Sequence, residues 1–175
     1  MKKCFTGFAA LVLAGLFCNV AMARKVTEGV TPSGVIYVLV DRNITPDMEL
    51  DAVKARNALA DWWEVDLVNV LAKRGGYDAK LIQTRGDFVS GPDTYLLTAK
   101  ILKYNPGSKA ARILVGFGAG SCSMDIHIEF FSAGNKQIFS KDDGVGSGRD
   151  WRNVARKLNE NILKTVTEAL KKSGE

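Results

Sequence analysis

His127 is the only histidine in a chain of 175 residues, and it stands between Asp125 and Glu129. Carboxylate, imidazole and carboxylate at alternate positions are the groups used for metal ligation and for proton transfer. Their spacing argues against either as a local unit. On an extended strand the two carboxylates lie about 13–14 Å apart, so they converge on one ion only with help from elsewhere. A polar strand face is the plainer reading. Cys122 lies five positions from His127 and falls on the opposite face of the same strand, which rules out a local thiol–imidazole pair. Serine chemistry through His127 calls for a G-x-S-x-G turn. Neither Gly120-Ser121-Cys122 nor Gly146-Ser147-Gly148 supplies one. Asp142-Asp143 lacks the spacing and the terminal glutamate of a calcium loop and reads as a solvated hairpin end. No metal and no other cofactor is expected.

The glycines invite a phosphate-cradle reading, and context opposes it. In Gly116-Phe117-Gly118-Ala119-Gly120-Ser121 a serine stands where the dinucleotide fingerprint has its third glycine. The residues that follow alternate like a strand, whereas that fingerprint opens a helix. Pro106-Gly107-Ser108-Lys109 lacks the spacing of a P-loop. Gly144 to Gly148 does precede a helix, with Arg149 and Arg152 near its start. Asp142, Asp143 and Asp150 surround that start with negative charge, which disfavours an anion at the helix end.

Several elements must position these residues. Val35 to Val40 is an unbroken apolar run rich in β-branched residues, the pattern of a central strand covered on one or both faces. Thr45-Pro46-Asp47-Met48-Glu49 reads as a helix start. That helix is expected to run to Lys73-Arg74, with Gly75 as its left-handed cap. Leu59, Trp63, Leu67 and Val70 form its apolar stripe, widened by Trp62. Strands are expected at 78–84 and 94–104, the second with Tyr95, Leu97, Ala99 and Ile101 on one face. The clearest strand runs from Ser123 to Phe130, where Met124, Ile126, Ile128 and Phe130 alternate with polar partners. A turn at 132–135 leads into a strand ending near Ser140, and a closing helix begins about Asp150. Its stripe is Val154, Leu158, Ile162, Val166 and Ala169. The fold class is α+β: a two-layer sandwich, with a mainly antiparallel sheet of about five strands and two amphipathic helices on one face.

The N-terminus carries export signals. Lys2 and Lys3 precede an apolar run from Phe5 to Phe17, shorter than the roughly 20 residues needed to cross a bilayer. Ala21-Met22-Ala23 then offers a small-x-small cleavage site. Residues 1–23 are therefore read as a cleaved secretory signal, 24–33 as an exposed lead-in and 34–172 as one α+β domain. Phe17 occupies the position before Cys18 where lipid attachment needs a small residue, so a soluble periplasmic protein is preferred to an outer-membrane lipoprotein. Removing Lys2 and Lys3 from 24 basic residues leaves 22 against 19 acidic ones. That mild excess excludes a nucleic-acid reading, which needs a concentrated basic face. Cys122 is the one cysteine left after cleavage, is expected to be buried as a small hydrophobe, and leaves no route to an intramolecular disulfide.

The run from Tyr104 to Arg112, continuing through Val115 to Gly120, resembles a hallmark of the bacterial envelope family known as domain of unknown function 4410. The resemblance implies a small exported protein, often a lipoprotein, and carries no activity with it. Within this run Arg112, Gly116, Phe117, Gly118 and Gly120 are the candidate contact residues. The expected role is a non-enzymatic periplasmic accessory domain that binds another envelope protein through sheet edges or glycine-rich loops. The alternative is a module that binds a small ligand, lipid or glycan of the envelope, with Phe117 making peripheral contact with the membrane. A carboxylate-dependent enzyme is a third class.

Overall fold

The computed structural model describes residues 34–107 and 120–173. The elements are β1 (Val35–Asp41), α1 (Leu50–Lys73), β2 (Asp78–Ile82), β3 (Thr94–Asn105), β4 (Cys122–Ser132), β5 (Gln137–Ser147) and α2 (Trp151–Ser173). Five strands form one sheet in the order β2-β1-β3-β4-β5. The α+β two-layer class is as expected, and the long β3–β4–β5 ladders are antiparallel. At the other edge, β1 pairs parallel with both β2 and β3. These two parallel pairs depart from an otherwise antiparallel sheet. Between β1 and β2, α1 supplies the helical crossover that a parallel pair requires.

The sheet has one helix-covered face because its strands alternate. Ile36 and Val38 of β1, Leu97, Ala99 and Ile101 of β3, and Met124, Ile126, Ile128 and Phe130 of β4 all point into one core. Leu59, Trp63 and Leu67 of α1 and Val154, Leu158, Ile162 and Val166 of α2 close it. Each such large apolar side chain stabilises the fold by about 1.5–3 kcal/mol. A one-residue slip of β4 would send its apolar set to water, so its register is firmly fixed. Cys122 is fully buried at the start of β4.

The unbroken apolar run of β1 also has its explanation. Tyr37 and Leu39 lie on the opposite face, where Ile82, Leu96, Phe131 and Phe88 form a second, smaller cluster. Phe88, in the β2–β3 connection, meets the Tyr37 ring edge-on at 5.4 Å. The β1 end of the sheet is thus covered on both sides, whereas its β4–β5 end is covered by helix on one side only.

Polar groups tie the helices together. The Trp63 indole N–H donates to Asn159 Oδ1 at 2.6 Å, and Asn159 Nδ2 donates to Asp66 at 2.7 Å. Arg42, just after β1, donates to both Glu64 carboxylate oxygens and to Asn57, and pairs with Asp61 at 2.7 Å.

Three local expectations need correction. The first long helix starts at Leu50, five residues after Thr45. The Thr45 hydroxyl is engaged by Asp47, and its carbonyl closes a turn with the Met48 amide, so neither caps α1. The left-handed residue after α1 is Gly76, with φ 77°. Gly75 is instead required by close approach, since a Cβ there would meet Tyr77 at 2.6 Å and Leu163 at 2.8 Å. Finally, β5 does not stop near Ser140 but continues through Asp142, Asp143 and the first two glycines to Ser147. Asp142-Asp143 is therefore mid-strand rather than a hairpin end.

Candidate functional site

The uncovered face of β3, β4 and β5 carries the chemistry-bearing side chains. Pairing places Asp41, Lys100, His127 and Asp142 in one line across four strands. Lys100 Nζ lies 3.4 Å from Asp41. His127 Nδ1 lies 2.6 Å from Asp142 Oδ1, and Nε2 lies 3.2 Å from Ser140 Oγ. Glu129 accepts from Thr98 at 3.3 Å and from Gln137 at 3.2 Å, and stands 4.0 Å from His127 Nε2. The arrangement follows from strand periodicity alone. Asp142 is the β5 residue paired opposite His127, and Ser140, two residues earlier on the same face, is paired opposite Glu129.

Hydroxyl, imidazole and carboxylate in that order are the connectivity of a nucleophile, its general base and the group that orients the base. What surrounds them differs from a hydrolytic centre. The backbone of β4 is paired to β3 on one side and β5 on the other, so its amides are committed to ladders. Acyl transfer needs preorganised donors aimed at the developing oxyanion. The His127 side chain is 35% exposed and that of Asp142 73% exposed, an open surface rather than a water-excluding site. Beside Asp142 runs a shallow groove of about 360 Å³ lined by Leu102, Lys103, Asp125, Asp142, Asp143 and Gly144. Ser140 and His127 do not line it. Among the described residues, no three His, Cys, Asp or Glu side chains converge to hold a metal ion.

The sequence placed His127 on a polar face between Asp125 and Glu129, and the structure agrees, but its real partners come from β5. Asp125 faces Gly144, where a Cβ would come within 2.6 Å of its carboxylate. The signal that marks β5 is the alternation of Ser140, Asp142, Gly144 and Gly146, hidden because glycine reads as loop.

Of the candidate contact residues, Arg112, Gly116, Phe117 and Gly118 lie outside the described residues. Gly120 is described, in left-handed backbone at φ 69°, two residues before the start of β4. Gly107, at φ 73°, packs against it so closely that a Cβ on Gly107 would collide with the Gly120 carbonyl. The backbone entering this segment thus meets the backbone leaving it, a contact only glycine permits.

A family model for a domain of unknown function, DUF4410, matches residues 42–149. The chain belongs to the DUF4410 family. The DUF4410 match takes in α1, β2, β3, β4 and β5, and with them Lys100, His127 and Asp142 and the Gly107–Gly120 contact. It stops short of α2 and leaves out all of β1. No curated protein matches the chain. Among solved structures, the chain is similar to a PelC dodecamer from Paraburkholderia phytofirmans, with 12% identity over 81% of this chain and 89% of that one, at a TM-score of 0.47. It is also similar to a minor lipoprotein from Acinetobacter baumannii, with 12% identity over 77% and 92%, at a TM-score of 0.36. An uncharacterised lipoprotein B from Nitrosomonas europaea shares 10% identity over 77% and 76%, at a TM-score of 0.28.

Proposed function

We propose that this DUF4410 protein is a non-enzymatic interaction domain of the bacterial cell envelope, exported to the periplasm by residues 1–23. The observation that carries this reading is the outer edge of β5. This strand is 11 residues long and pairs with β4 alone among the described residues. An edge strand offers a row of backbone donors and acceptors to a further strand, and adding a strand to such an edge is a recurrent mode of protein recognition. Lys141, Asp142 and Asp143 on this edge oppose indiscriminate pairing. Gly144 and Gly146 leave the backbone uncovered for a matched partner. The open placement of Ser140, His127 and Asp142, with the neighbouring amides committed to ladders, supports a surface role for them as well.

Site-specific photo-crosslinking in intact cells tests the reading. The reactive residue is placed at Gln137, at Gly146, and at the exposed Lys164 of α2 as a control. A side chain added at Gly146 meets nothing closer than 3.9 Å. The expected result is discrete protein adducts from the two β5 positions and none from Lys164. Absence of adducts from β5, or ester hydrolysis by the purified protein that Ser140→Ala abolishes, overturns it.

A further inference from the structure

A cavity of about 330 Å³ lies between the first turns of α1 and the end of β3, walled by Met48, Ala52, Ala55, Tyr104 and Pro106, with Arg56 among its lining. Its walls are mostly apolar, and its volume is at the lower end of the range of small-molecule sites, about 300–1,000 Å³. The position is significant in the topology. From β1 the chain turns through α1 to β2 on one side, while β3 lies on the other side and runs parallel to both. In open α/β sheets, ligands bind outside the carboxyl ends of the strands where the strand order switches direction.

Arg56 supplies the chemistry. It is only 8% exposed. Its Nη1 donates to the carbonyls of Arg42 and Asn43 at 3.0 Å each and of Ile101 at 3.3 Å. Those acceptors are neutral, and among the described residues no carboxylate forms an ion pair with Arg56. Burial accordingly lowers its pKa, with the field of Asp41 acting the other way. No fully buried side-chain nitrogen lacks a partner among the described residues. Nε and Nη2 bond to no group among the described residues, and Arg56 lines the cavity. Glu49, at the start of α1, makes no side-chain cap to the first amides of the helix. Asp51 at the rim is almost fully exposed and paired with Lys54 at 3.5 Å, so it faces water and adds some repulsion against a doubly charged head.

We propose that this cavity binds a single-chain monocarboxylate, the head forked on Nε and Nη2 of Arg56 and the unbranched apolar tail lying along Ala52, Ala55 and Tyr104. A planar carboxylate matches the guanidinium fork, and a buried cation without a counter-charge gains most from such a partner. This ligand site is separate from the β5 edge.

Calorimetric titration of the purified protein with decanoate and with decanol tests the proposal. Decanoate is expected to bind saturably, and at least about tenfold more tightly than decanol, the scale of one charged hydrogen-bonded contact. Ala55→Leu fills the cavity while leaving the three carbonyl contacts of Arg56 in place, and is expected to abolish decanoate binding with an unchanged melting curve. Arg56→Lys is expected to weaken it by about tenfold, since an ammonium loses the forked geometry. Equal binding of decanol, no saturable binding of decanoate, or undiminished binding by Ala55→Leu overturns the proposal. Should Arg56→Lys fail to fold, Ala55→Leu and the decanol comparison decide it.

Discussion

Asn159 is fully buried between the helices, and its two hydrogen bonds give a prediction that can be worked through. Substituting Asn159→Leu keeps the volume similar and removes both bonds. The Trp63 N–H is then left without an acceptor inside the core, a desolvation cost of about 1–3 kcal/mol. Asp66 loses one donor but is only half-buried, so water recovers most of that loss. The expected destabilisation is about 2–4 kcal/mol, which for a domain of this size lowers the melting temperature on the order of 10 °C. Urea denaturation followed by far-ultraviolet circular dichroism measures it. The diagnostic step is a double-mutant cycle with Trp63→Phe, which removes the donor. If the orphaned N–H is the cause, the double variant is less destabilised than the two single changes added together, by about 1–2 kcal/mol. Strict additivity would refute the reasoning and reassign the cost of Asn159→Leu to packing.

Three further outcomes are expected. A fluorophosphonate probe should leave Ser140 unlabelled under conditions that label a serine hydrolase completely, by intact-mass measurement; stoichiometric labelling that His127→Ala abolishes would restore an enzymatic reading. Gly107→Ala should destabilise by at least about 1–2 kcal/mol, because it forces left-handed backbone on alanine against the Gly120 carbonyl, whereas Gly148→Ala, with nothing within 4 Å of the added Cβ, should change the urea midpoint little. Burial pushes the Glu64 carboxyl above its ordinary value, and its attraction to Arg42 offsets this only in part. A raised folded value means that its stabilisation is fully present below the unfolded pKa, about 4.3, and is lost as pH rises through the folded one. Glu64→Gln should therefore flatten the fall in stability just above that pH, read from urea midpoints across a pH series, and a steeper fall would contradict the assignment.

The sequence was most informative where one face is wet and one is dry. The alternation of β4 survives in the structure residue for residue, because burial on a single face leaves no other register open. The stripes of α1 and α2 were legible for the same reason. Three features depend on partners distant in sequence and were not. That β1 pairs parallel on both sides is decided by where α1 and the Phe88 connection carry the chain, which no local pattern records. The continuation of β5 through Gly144 and Gly146 is decided by the ladder to β4, against a local composition that favours a loop. His127 was located correctly, but Ser140 and Asp142 became visible as its partners only once β5 was long enough to bring them alongside. The Arg56 cavity was hidden more completely, since an arginine among alanines on a helix reads as solvent-facing until the ends of β1 and β3 are laid over it.

The pairing of β1 also has a kinetic consequence. Strands β3, β4 and β5 are consecutive, and they can assemble without the first third of the chain. β1 meets its first partner, β2, only after the whole of α1, about 40 residues further along the sequence, and its second, β3, about 60 residues along. Contacts between distant segments carry the loop-closure entropy that slows folding. The meander is thus the natural early unit, and the insertion of β1 between β2 and β3, which buries Ile36 and Val38, is the late step that completes the core.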